Sequence, residues 1–348
     1  MTPPEPPNPV QTLHVRSRDG NRLHVEVHGN PDGPTVVLSH GWTCSIRFWW
    51  PVIAALAAHY RLVAYDQRGH GGSDLPGKDG YSVPALAEDL AAVIDAAAGP
   101  DRMILVGHSM GGMTIMAAGT DPAVRARTRA VLLASTGAHD LAVRANLVPT
   151  RLLGRIASRR MLRGASPLGR RTRLSTRLLA YGTLGPKPAR ALAIENATII
   201  HACPRQVRAG WGRVLEFLDV RAGAAALTVP TAVLVGTADR LTPPRHAEEL
   251  AGLLADLHSR TVLPRIGHMT PMEDPATVAD LVRRLDAASR TTAGGDSAAG
   301  QEPEPESVIA ATATPMPEPE SESITAFPAA ATASASTTTS ASADTLPE

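Results

Sequence analysis

The 348-residue chain is poor in several residue types, and each shortage narrows what it can be. It has two cysteines, Cys44 and Cys203, which excludes a disulfide framework and a four-cysteine zinc site. Aromatics make up only 3% of the residues, so aliphatic side chains and alanine must fill most of the core. No apolar run approaches the roughly 18 residues of a membrane-spanning helix. The leading residues, MTPPEPPNPV, contain neither a basic nor an apolar leader region. Together these shortages favour a soluble, cytoplasmic, reduced protein and exclude a small secreted toxin or a membrane channel. Lysine occurs only twice, at Lys78 and Lys187, so arginine carries nearly all the positive charge.

The net charge of +1 hides a segregation. No base follows Arg290, where Asp296, Glu302, Glu304, Glu306, Glu318, Glu320, Glu322, Asp344 and Glu348 lie. Residues 144–213 are the reverse, rich in arginine with Glu195 as their single acid. The 291–348 tail alternates Ala, Thr, Ser, Pro and Glu, and it cannot bury enough apolar surface to offset its ordering entropy. It is expected to be disordered, as are the proline-rich residues 1–10. Residues 11–290 are left to form one domain.

Short β-branched runs alternate with alanine-rich helical stretches across that domain. Residues 12–18 and 22–29 flank Asp19-Gly20-Asn21 and predict a hairpin. Strands are predicted at 35–41, 61–66, 102–109, 129–136, 231–237 and 260–266. Helices are predicted at 47–59, 84–98, 110–119, 244–257 and 275–288. The central strands are continuously apolar, which suits burial on both faces of a mainly parallel sheet. The pattern breaks between about 138 and 226, where helices are predicted at 151–163, 170–181, 188–202 and 205–219. An insert there would lie over the carboxyl edge of the sheet, where ligands bind in open α/β folds, and it is expected to form a helical cap.

Gly107-His108-Ser109-Met110-Gly111-Gly112 follows a buried strand and opens a helix. That is the setting of a nucleophile elbow. Ser109 would occupy a tight turn, with Gly107 and Gly111 free of side chains that clash with it. Candidate partners follow in chain order. Asp239 ends a strand before Arg240-Leu241-Thr242-Pro243-Pro244, and His268 ends another in Gly267-His268-Met269. In such a triad His268 would take the serine proton, and Asp239 would fix its tautomer. The backbone N–H groups of Met110 and Trp42 are the candidate oxyanion donors, with His40 bracing its loop. No metal cluster and no dinucleotide fingerprint is evident.

HGW (40–42), YDQRGHGGSD (65–74), GHSMGG (107–112), GTADRLTPP (236–244) and GHM (267–269) together resemble the α/β-hydrolase superfamily with a serine nucleophile. The resemblance covers about residues 12–288 outside the insert. It implies an eight-stranded, mostly parallel sheet flanked by helices, a structural role for Asp66, Arg68 and Ser73, and, because members of this superfamily sometimes carry the acid after the preceding core strand, Asp140 as the alternative acid to Asp239. Ser109 argues against the epoxide hydrolases and haloalkane dehalogenases of this fold, which use aspartate. The implied activity is cleavage of a carboxylic ester through an acyl-enzyme, as in carboxylesterases and lipases, on a small acyl substrate and without a cofactor. Perhydrolase-like, thioesterase and carbon–carbon hydrolase chemistries use the same triad. The superfamily also contains non-enzymatic ligand receptors. No nucleic-acid partner is expected. The arginine-rich insert suggests peripheral contact with anionic lipid, and the acidic tail could instead fold against it.

Overall fold

The computed structural model describes residues 8–77, 79–141, 145 and 171–294. The predicted helix at 151–163, the tail from 295 onward and most of the proline-rich leading segment lie outside these residues. The strands are β1 (Gln11–Arg16), β2 (Arg22–Gly29), β3 (Thr35–Ser39), β4 (Arg61–Tyr65), β5 (Met103–His108), β6 (Thr128–Ala134), β7 (Thr231–Gly236) and β8 (Leu257–Leu263). They form one sheet in the order β1-β2-β4-β3-β5-β6-β7-β8. β2 pairs antiparallel with both β1 and β4, and all other pairings are parallel.

The continuous apolar runs arise because both faces of the sheet are covered. Val37, Val63, Leu105, Leu133 and Val233 belong to one core cluster, together with α2 (Val83–Ala97) and α3 (Met110–Ala118). Val36, Leu38, Leu62, Ile104, Leu132 and Leu234 belong to the other. That second cluster includes α1 (Trp50–Leu56), and its far end is α11 (Pro275–Gly294), with Val278, Val282 and Leu285 fully buried. Successive strand residues therefore feed opposite cores, as the pleat requires.

Several boundaries differ from the sequence reading. Val10 donates to Val27 O at 2.7 Å and so extends the hairpin into the segment taken as loose. α11 continues to Gly294, four residues into the expected tail. The strand expected at 260–266 lies at 257–263, while α9 (Pro244–Leu253) stops four residues early. The cause is an edge position. β8 pairs on one side only, so polar His258, Ser259 and Arg260 are tolerated within it. Two short helices have no apolar periodicity to announce them, α4 (Pro122–Arg127) and α10 (Thr270–Glu273). α4 starts where the Asp121 carboxylate accepts from Ala123 N at 2.8 Å, with Pro122 at its first position.

The described part of the insert is helical: α5 (Arg173–Thr183), α6 (Arg190–Ala202), α7 (Arg205–Phe217) and α8 (Arg221–Ala225). A reciprocal capping box between Thr172 and Ser175 starts α5. The insert is anchored to loops at the carboxyl ends of the strands. Trp211, fully buried, donates from Nε1 to Arg68 O at 3.1 Å and stands edge-on to Tyr81. Glu195 receives Arg47 from the loop after β3 in a two-pronged ion pair, its second contact 2.7 Å long. Among the described residues no helix is long and apolar enough to cross a membrane.

Candidate active site

β5 ends at His108, α3 begins at Met110, and Ser109 is the single residue between them. Its backbone sits at φ +51° and ψ −117°, a region that non-glycine residues rarely adopt. The surroundings enforce it. Ser109 N donates to Ala134 O at 3.0 Å, and Thr136 Oγ1 donates to Ser109 O at 2.7 Å. A Cβ on Gly111 would overlap Ser39 O, and one on Gly107 would lie 2.6 Å from the Gly111 carbonyl. The glycines are thus required by close backbone approach as well as by the turn.

His268 and Asp239 meet on the same edge of the sheet. Asp239 follows β7, its side chain fully buried, and accepts from His268 Nδ1 at 2.9 Å through Oδ2. Leu241 N and Thr242 N both donate to Oδ1 at 2.9 Å, and Thr242 Oγ1 donates to Oδ2 at 2.9 Å. The carboxylate is therefore saturated and fixed in orientation. It holds the Nδ1–H tautomer of His268, which leaves Nε2 as the nitrogen with a lone pair. Among the described residues no hydrogen bond joins that ring to Ser109 Oγ, a contact that is commonly long before substrate arrives. Asp140 is not brought to His268. Its carboxylate is more than half exposed and lies 3.9 Å from His139 Nδ1.

His268 is positioned through its backbone as well. Its N–H donates to Thr183 O, at the end of α5, at 2.8 Å. His108 Nε2 donates to the His268 carbonyl at 2.8 Å, and the two rings pack at 4.9 Å. Burial holds His108 neutral, far below the usual histidine range. Glu273 braces the same turn by accepting from Gly267 N at 3.0 Å and from Gly185 N of the insert at 2.7 Å.

The loop after β3 carries the second expected donor. Met110 is the first residue of α3, so its N–H has no acceptor within the helix. Trp42 lies in the turn closed by Cys44 N donating to Gly41 O at 3.1 Å. His40, fully buried, accepts from Gln67 N at 3.0 Å through Nε2 and donates from Nδ1 to Gly41 O at 2.8 Å. His70 accepts from Thr43 N through Nε2. Burial pushes both imidazoles down, His40 to about 3 and His70 to about 4, so they serve as neutral braces. The Gln67 amide donates to His40 O, and its oxygen accepts from Thr114 Oγ1 of α3 at 2.8 Å, which ties this loop to the elbow helix.

The remaining motif residues build the scaffold. Asp66 accepts from Ile46 N at 2.7 Å and Gly72 N at 2.8 Å, and Ser73 Oγ donates to Asp66 O. Arg68 forms a bidentate pair with Asp89, both contacts 2.6 Å. Cys44 and Cys203 are free and buried. Among the described residues no group of three or more His, Cys, Asp or Glu side chains could hold a metal ion. Gln67, Thr136, Thr242 and Glu273 were not singled out from the sequence. Gln67 and Thr242 lie within the quoted motifs, which was the available signal.

A sequence model of the alpha/beta hydrolase family matches residues 36–281, which span β3 to α11. The chain belongs to that family. Among curated relatives of this alpha/beta hydrolase, a Variovorax paradoxus protein named for carbamate hydrolysis, RutD, is 30% identical over 272 residues, covering 76% of this chain and 97% of the relative. A 3-oxoadipate enol-lactonase of Acinetobacter baylyi is 27% identical over 238 residues, 67% of this chain and 82% of that one. Among solved structures, the esterase RhEst1 from Rhodococcus sp. ECU1013 aligns with a TM-score of 0.67 at 25% identity, covering 80% of this chain and 98% of its own. The alpha/beta hydrolase described here is thus a hydrolase by kinship.

Proposed function

We propose that this hydrolase cleaves a carboxylic ester through an acyl-enzyme formed on Ser109. The observation that carries the reading is the Asp239–His268 pair, 2.9 Å apart and buried, at the strand ends beside the Ser109 elbow. In the first half-reaction His268 Nε2 accepts the Ser109 proton as Oγ bonds to the acyl carbon. The carbonyl π electrons move to oxygen, where the N–H groups of Met110 and Trp42 stabilise the charge. The ester C–O bond then breaks, and the leaving alkoxide takes the proton from His268. Water repeats the sequence to release the acid. Asp239 stabilises the imidazolium throughout without itself being protonated. The helical insert acts as a cap that bounds the acyl pocket, consistent with its anchorage to His268 through Thr183 O.

The names of two relatives favour a second substrate set for the same machinery, lactones and carbamates. The first experiment is fluorophosphonate labelling with peptide mass spectrometry. An adduct on Ser109 that vanishes in His268→Ala is expected. Folded protein that takes no label on Ser109 would overturn the reading. A panel of a simple ester, a lactone and a carbamate then ranks the substrate classes by kcat/KM.

A further inference from the structure

The surface of the insert carries a feature that ester cleavage does not use. On α5, Leu174, Leu178 and Tyr181 are exposed by 66%, 63% and 55%. They stand at positions i, i+4 and i+7, so they form one stripe along the helix. Large apolar side chains in a continuous exposed row mark a surface that meets something. Beside the stripe lies an open groove of about 790 Å³ between α5 and α6. Its lining includes Arg171, Arg173, Arg177, Lys187, Arg190 and Arg240, and among the described residues no acid. Five of these bases are exposed, and only Arg240 is half-buried. The Arg240 guanidinium lies 4.3 Å above the Tyr181 ring, which fixes the aromatic end of the stripe.

From this juxtaposition we infer that α5 docks on an anionic lipid surface, with the leucines and Tyr181 entering the interface and the arginines meeting the headgroups. An apolar stripe flanked by cations is the pattern of an interfacial helix. The charge decides the occupant. A second copy would set six cations against six, whereas anionic lipid neutralises them. The consequence for the site is direct. Thr183, the last residue of α5, holds the His268 N–H, and Arg240 immediately follows Asp239. Docking would therefore present the membrane beside the reacting groups, and the substrate class would be esters that partition into lipid.

The test is co-sedimentation of the full chain with phosphatidylcholine vesicles, with and without phosphatidylglycerol. It is run at about 0.1 M and about 1 M salt, where screening lengths are about 10 Å and about 3 Å. Binding only to the anionic vesicles, lost at high salt, is expected. Arg173→Gln and Arg177→Gln should each lower the partition coefficient about fivefold. Leu174→Ser/Leu178→Ser should lower it at least about tenfold. All these variants should hydrolyse a short soluble ester as the parent does, which shows that they fold. The Ser109→Ala protein should bind vesicles normally, so the result stands apart from any failure of the catalytic reading. Three outcomes overturn the inference: no binding, equal binding to neutral vesicles, or variants that bind like the parent. Concentration-dependent dimerisation abolished by Leu178→Ser would assign the stripe to a second copy. Binding to soluble polyglutamate without vesicle binding would assign the groove to an acidic protein.

Discussion

Ser109 holds an unfavourable backbone conformation because three neighbours leave no other place for it: Ala134 O, Thr136 Oγ1 and the packed backbone of Gly111. Gly111→Ala should therefore yield no soluble folded protein, since its Cβ would meet the Ser39 carbonyl, and circular dichroism with urea melts would show it. Asp239→Asn should leave the fold intact and lower kcat by roughly 10⁴-fold, because the amide cannot hold the Nδ1–H tautomer of His268. Asp140→Asn should change turnover less than about twofold, in keeping with its exposure. Equal losses in the two variants would refute the assignment of the acid. The positions of Ser109, Asp239 and His268 were legible because each sits in a local signature, a glycine turn or a strand end. Thr242 lies only three residues from the Asp239 carboxylate to which it donates, whereas Gln67, Thr136 and Glu273 were not legible, because they act on His40, Ser109 and Gly185 through space. Only folding brings such partners together.

At the scale of elements, the Arg68–Asp89 pair binds the loop after β4 to α2, and Arg68 also reaches Asp19 and Ser17 of the β1–β2 turn. Both side chains of the pair are essentially fully buried. Breaking it leaves the buried Arg68 relying on the half-exposed Asp19, so Asp89→Ala should cost about 1–3 kcal/mol of stability in denaturant titrations. Replacing both partners by apolar residues should cost less than that single change. The central strands were readable because burial on both faces makes them uniformly apolar over a short span, as in β3 and β5. β8 was misplaced by three residues because an edge strand is free to carry His258, Ser259 and Arg260. The brief helices α4 and α10 escaped for a related reason. At six and four residues, they are too short for a 3.6-residue period to register.

For the molecule as a whole, the buried histidines set the response to acid. His40 and His70 titrate at about 3 and about 4 in the folded chain, and His108 also lies far below the ordinary range, all through burial. Each is depressed relative to the unfolded chain. Each therefore contributes stability that is present above pH about 6.5 and lost as pH falls toward its folded value. The loss is about 1.4 kcal/mol per pH unit for each imidazole. Asp66 acts in the opposite sense. Burial raises it to about 6, so its ionisation weakens the fold as pH rises through that value and offsets one histidine's share. Stability should accordingly fall as pH drops from 7 toward 4, read as a shift in the urea midpoint. His70→Gln should make that slope shallower. A flat profile would show that these imidazoles are charged in the folded state.

The order in which the site residues occur along the chain has a consequence for synthesis on the ribosome. The strand before Ser109, its neighbours β3 and β6, and β4 all precede the insert, whereas Asp239 and His268 follow the last two strands to emerge. β7 can join β6 only by closing the long loop that contains the insert, a late and slow event for a growing polypeptide. A nascent chain halted anywhere before β7 would carry the serine with neither its base nor its acid. Under the reading proposed here, the nascent chain stays chemically silent, and its reactivity switches on only when the final edge of the sheet has been laid down.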